Sequence, residues 1–187
     1  MAIRMKTRFR AKGPKTVADR ANVVGYNLWK IAQEIVRHME KEGFKFASDA
    51  QLVAVMTEVI AFLVQIADRI VYGQLSEEDR TTFVNALGRD LAEHAQTNLS
   101  AILGPGDHAR QFIDTLNARF ADYAEYDFSR ESGPSYAFVR YLGDRVSSEM
   151  AQTNNKWVVE HVMEIEAPEA IKLLRKLVHE VMGIKLN

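Results

Sequence analysis

Apolar residues recur along most of this chain at alternating steps of three and four, and that period predicts α-helices. Val17, Ala21, Val24, Leu28, Ile31, Ile35 and Met39 form one unbroken seam, so a first helix is expected over residues 15–42, closed by Gly43. A second, over residues 48–72, is apolar around most of its circumference, with a narrow polar stripe of Glu58, Gln65, Asp68 and Arg69. Such a helix belongs in the middle of a bundle, its stripe facing solvent.

A third helix opens at Ser76, with Asp79 as capping-box partner, and runs to Leu103. "GPGD" (Gly104–Asp107) breaks the chain and caps a fourth helix, whose inward residues are Phe112, Ile113, Leu116, Phe120 and Tyr123. After the polar loop Ser129–Gly133, a fifth helix is expected over residues 134–165, and a sixth from Pro168 to Gly183.

The fifth helix changes face. Val139, Leu142, Val146 and Met150 share one side, whereas Val158, Val159, Val162 and Ile165, beyond "QTNNK", point the opposite way. Either the helix breaks there, or residues 157–187 leave the body as an oligomerisation arm against a second copy.

Only the first residues depart from the helical period. In "IRMKTRFRAK", Arg4, Lys6, Arg8, Arg10 and Lys12 alternate with Ile3, Met5, Thr7, Phe9 and Ala11. Strand spacing puts all five cations on one face and helical spacing scatters them, so an extended basic arm over residues 1–14 is expected. The fold expected is therefore all-α: a single domain over residues 15–187, a bundle of six or seven helices, preceded by the arm.

Charge sharpens the role of that arm. Net charge is −1, but the first 15 residues hold six cations and no acid, leaving the other 172 residues at −7. An acidic body repels phosphate everywhere except at the arm, so a broad nucleic-acid face is excluded. The apolar reverse face of Ile3, Met5 and Phe9 favours an arm docked on its own body or on a neighbour's. The alternatives are a disordered tail, and anion or nucleic-acid binding through the arm.

The chain has no cysteine, which excludes disulfides, thiolate metal sites and a cysteine nucleophile. No apolar signal segment opens the sequence, and Leu52–Ala67 is short for a membrane span and carries Glu58. Neither a membrane association nor export is expected, and a cytoplasmic location follows.

Helical bundles host carboxylate-bridged di-iron centres, which need Glu-x-x-His on one helical face. Three residues before His38, His94, His108, His161 and His179 stand Ile35, Leu91, Pro105, Val158 and Lys176, so the motif is missing throughout. Looser pairs remain: Glu34, His38 and Glu42; Asp90 and His94; His161 and Glu164, the last two expected to face solvent. An enzyme with a metal site around Glu58, Asp90 and His94 is one reading, with Glu58 as a carboxylate of raised pKa.

Nucleophile motifs such as Gly-x-Ser-x-Gly are absent, and "GPGDHA" follows a helix where a dinucleotide loop would follow a strand. Thr16–Ile31 carries the Ala-x-x-x-Gly spacing of a helix-turn-helix unit. The apolar seam nevertheless runs straight through Gly25, so one continuous helix is expected. Between Tyr123 and Tyr141 lie six of the chain's 17 aromatic residues together with Arg130 and Arg140. Tyr123, Tyr126, Tyr136, Tyr141 and Arg140 are the residues from which a pocket would be built, or the glue of a helical hairpin. No catalytic residue, metal ligand or cofactor is assigned. The sequence reads as an interaction or scaffold protein whose partner is itself, as a homodimer.

Overall fold

The computed structural model describes residues 15–153 and 155–184; the arm and its five cations lie outside the described residues. Helices dominate. Their order is α1 (Val17–Lys41), α2 (Asp49–Val71), α3 (Glu77–Leu103), α4 (His108–Ala124), α5 (Tyr136–Glu149), α6 (Val158–His161) and α7 (Ala167–Met182), with a π-helical turn, Val162–Glu166, between the last two. Between α4 and α5 a minimal antiparallel hairpin pairs Phe128 with Pro134 and Ser129 with Gly133.

The caps are those that orphan backbone groups demand. Thr16 and Asp19 form a reciprocal capping box on α1. Ser48, Ser76, Asp107 and Ser135 each accept a backbone N–H three residues on. Ser76 and Asp79, expected as a box, make only this half of one.

α2 is the centre of the bundle and touches α1, α3, α4, α5 and α7. It is long and apolar enough to cross a membrane, the one such helix among the described residues, and its side chains are mostly buried inside the bundle. Its polar stripe does not face solvent as expected. Glu58 is 3% exposed, and Gln65 and Asp68 are buried with it. Each charge is neutralised across a helix contact: Asp68 receives both Nε and a terminal nitrogen of Arg80 at 2.8 and 2.7 Å, and Glu58 faces two arginines described below. A central helix has no solvent side, so its carboxylates survive only where cations reach them.

The change of face in the expected fifth helix resolves as a break. α5 ends at Glu149, the chain turns at residues 150–153, and α6 restarts from Trp157, whose φ of 65° is left-handed. From Val158 onward α6, the π turn and α7 form one rod, buried through Val158, Val162, Ala167, Ala170, Leu174, Val178 and Met182. It packs on α1, α2 and α5 of its own chain. α1 and α7 run antiparallel, since Arg20 near the start of α1 donates to the carbonyl of Met182 at 3.0 Å.

Pro168 stands in the first turn of α7 as expected, but α7 continues the rod from the π turn without a gap. The proline ring would collide with the carbonyl of Glu164 in a regular helix, and proline has no N–H to donate. The π turn widens the backbone just before it, with the Ala167 N–H reaching back five residues to the Val162 carbonyl. Gly143 lets α5 approach that turn: a β-carbon there would meet Val159 Cγ1 at 3.0 Å and the Val159 carbonyl at 3.3 Å.

Candidate metal centre

The π turn has a chemical consequence. Residues five apart stand about 140° apart around an α-helix, but a wider turn brings them onto nearly the same side. His161 and Glu166 flank the turn with that separation, and His161 Nε2 lies 2.8 Å from Glu166 Oε1. From α1, His38 Nδ1 reaches the same oxygen at 2.6 Å. The three ligand atoms lie within 4.8 Å of one another, and no other such group of His, Asp and Glu occurs among the described residues.

Burial is graded across the cluster. The side chains of Glu166 and His161 are 6% and 9% exposed, and that of His38 is 45% exposed. Phe44 covers His161 with ring centroids 4.7 Å apart, and the two imidazoles lie 5.8 Å apart. Glu166 Oε1 is thus within hydrogen-bond distance of a ring nitrogen of each imidazole, the arrangement a nearly buried carboxylate requires. Glu42 Oε1 stands 3.7 Å from the other nitrogen of His38, Nε2. That is the partner His38 needs when Nδ1 carries a metal and its proton moves to Nε2.

Two imidazoles and a carboxylate suit zinc, iron, cobalt or nickel. Metal–ligand bonds of about 2.0–2.1 Å place ligand atoms roughly 3–3.4 Å apart. A bound ion would therefore spread the present oxygen–nitrogen distances by some tenths of an ångström, within the reach of side-chain rotation. Three protein ligands leave further positions open to water or a ligand.

The residues singled out in the sequence divide among separate places. Glu58 does not meet Asp90 or His94. Arg119 grips it with two bonds of 2.7 Å, Nε to Oε2 and a terminal nitrogen to Oε1, while Arg145 adds contacts of 3.1 and 3.3 Å to Oε1. Hydrogen bonding to Glu58 holds the Arg119 guanidinium above its ordinary range. Arg119 also donates to Asp122 at 2.8 Å, and Arg145 to Glu149 at 3.1 Å. These groups border a cleft of about 390 Å³, but the charges already satisfy one another. His94 Nε2 stands 3.3 Å from Asp90 Oδ2 against α1, where Trp29 lies 6.2 Å from the His94 ring. A β-carbon on Gly25 would come within 2.9 Å of Asp90 Oδ2, so that pair sits where α1 and α3 approach closely.

The aromatic residues also separate. Tyr123 is fully buried, stacked on Phe138 at 4.6 Å and met edge-on by Tyr141 at 5.1 Å. Tyr126 packs on the same group. Tyr141 donates to Asp122 Oδ2 at 2.5 Å, and Tyr136 is largely exposed, while Arg140 pairs with Asp144. The expected pocket is thus hairpin packing, with only Tyr136 and Arg140 left on a shallow groove outside.

His161, expected to face solvent, is instead the centre of the cluster, and Glu164 alone is exposed. Glu166 carried no sequence signal, because its regular helical partners are not histidines. Pro168 was the available clue, since a proline inside a helical pattern marks where the backbone must widen or bend.

Fold and cluster together define an all-α bundle with a partly buried His–Glu–His cluster set by a π turn. No family model, no curated protein and no solved structure matches the chain.

Proposed function

We propose that this chain is a metalloprotein that holds one divalent transition-metal ion on His38, His161 and Glu166. The convergence of His38 Nδ1 and His161 Nε2 on Glu166 Oε1 carries the reading. A π turn is a costly departure from regular helix and is found disproportionately at functional sites. Here it presents a nearly buried carboxylate to two imidazoles, one of which has a second carboxylate, Glu42, behind it. Because the ligand set is incomplete for any of these ions, the bound metal keeps positions for an exogenous ligand.

Cobalt(II) titration of the full chain, followed by visible absorption and by metal analysis after gel filtration, tests this. One equivalent of cobalt or zinc is expected in the wild type. Glu166→Gln and His161→Ala should each weaken binding by at least tenfold, whereas His94→Ala and Glu58→Gln should not. Absence of stoichiometric metal in the wild type, or equal binding by Glu166→Gln, overturns the assignment.

A further inference from the structure

The metal centre opens on a groove of about 380 Å³ between α1 and α7, within the size range of small-molecule sites. His38 and Glu166 line it, and His161 stands behind them. Because α1 and α7 are antiparallel, the groove runs from His38 and Lys41 at one end to Asn27 and Leu173 at the other. The helical rise makes that path about 16 Å along α1. Its apolar lining is Ile31 and Ile35 from α1, Ile165 and Leu173 from the opposite rod, with Ala170 at the floor, between rims that carry charged side chains. Ile165 and Leu173 are among the most exposed large apolar side chains among the described residues, and both stand on this groove.

Charge is placed unevenly. Lys30 and Lys41 flank the α1 side. Two carboxylates also stand on the rim: Glu34, which is held by Arg37, and the exposed Glu169 on the α7 side. A divalent ion on two neutral imidazoles and one carboxylate retains one positive charge. The groove thus offers a cationic coordination point at one end and an apolar track leading away from it.

We infer that the groove binds an aliphatic monocarboxylate, its carboxylate on the open metal positions and its chain along Ile35, Ile31 and Leu173. This rests on the metal-centre reading. A carboxylate supplies the oxygen ligand and neutralises the site, and an unbranched chain removes from water the hydrocarbon that α1 and α7 leave uncovered. Acetate meets only the metal, and each added methylene covers more of the track.

Cobalt(II)-loaded full chain titrated with acetate, butyrate, hexanoate and octanoate, read by the visible cobalt bands, gives the test. Full burial of a methylene is worth about fourfold in affinity and burial of one half of its surface about twofold, so roughly twofold per methylene is expected in an open groove. Leu173→Asp, with its cobalt spectrum retained as evidence of folding, should lose most of that gain. A cobalt spectrum that responds equally to acetate and octanoate overturns this inference and leaves the metal centre standing. No cobalt binding removes both. Light scattering on the same samples separates the remaining occupant: a dimer that octanoate does not dissociate, with no chain-length response, assigns the groove to a second copy and overturns the ligand.

Discussion

Removing Arg119 tests how the bundle tolerates a carboxylate at its centre. Arg119→Met keeps most of the side chain's length and hydrocarbon but deletes the guanidinium. Glu58 would keep Arg145, but both Arg145 contacts fall on Oε1. Among the described residues, the bond of 2.7 Å from Arg119 Nε is therefore the one that Oε2 receives, and its loss strands that oxygen in a residue that is 3% exposed. Bonds to charged groups are worth about 1.5–3 kcal/mol each, and breaking a buried pair costs about 3–5 kcal/mol. With Arg145 retaining half of the carboxylate, the lower end applies, about 3 kcal/mol. In a domain of this size that lowers Tm by about 6–12 °C. Urea unfolding followed by circular dichroism measures it. The companion variant Glu58→Leu/Arg119→Met removes both charges and leaves Arg145 on Glu149, so it should lie within about 1.5 kcal/mol of wild type. A single variant that loses under about 1 kcal/mol, or a double variant less stable than the single, refutes the account of a stranded charge.

Three further outcomes follow from local geometry. The Tyr141–Asp122 bond holds the Asp122 carboxyl below its ordinary value of 3.8, while burial first, and that bond second, push the Tyr141 phenol up to about 12. The Asp122 contribution is present above about pH 4 and fades as pH falls through its lowered value; the Tyr141 contribution is present below about pH 10 and fades towards pH 12. The stability gap between wild type and Tyr141→Phe should therefore shrink on both flanks, and a gap constant from acid to alkali denies the coupling. Gly143→Ala gains helix propensity but drives a β-carbon into Val159 and its carbonyl; a net loss of about 1–2 kcal/mol in denaturant unfolding is expected, and a stabilised variant would show that α5 can retreat freely. Trp157 holds a left-handed backbone with its side chain 74% exposed. Trp157→Gly should gain about 0.5 kcal/mol in thermal unfolding, the relief of strain net of added chain entropy.

The hydrophobic period by itself determined the helices of α1 to α4, the central place of α2, and the stops at Gly43, "GPGD" and Gly183, because amphipathic spacing and caps act over a few neighbouring residues. It also marked the discontinuity near "QTNNK", though not its form: opposite faces are buried before and after a break, and only packing on α1 and α2 shows that the second half returns to its own chain. Glu58 shows the limit most clearly. Its apolar surroundings were legible, but its partners come from 61 and 87 residues away, so a carboxylate read as solvent-facing is a buried centre of an ion network. The candidate centre was less legible still. His38 joins His161 and Glu166 across 128 residues, and the local pair depends on a π turn that changes which residues share a face. Sequence periodicity assumes a constant rotation per residue, and at Pro168 that assumption fails. Tertiary structure alone decides what the altered rotation brings together, because a side chain's chemistry depends on its neighbours in space.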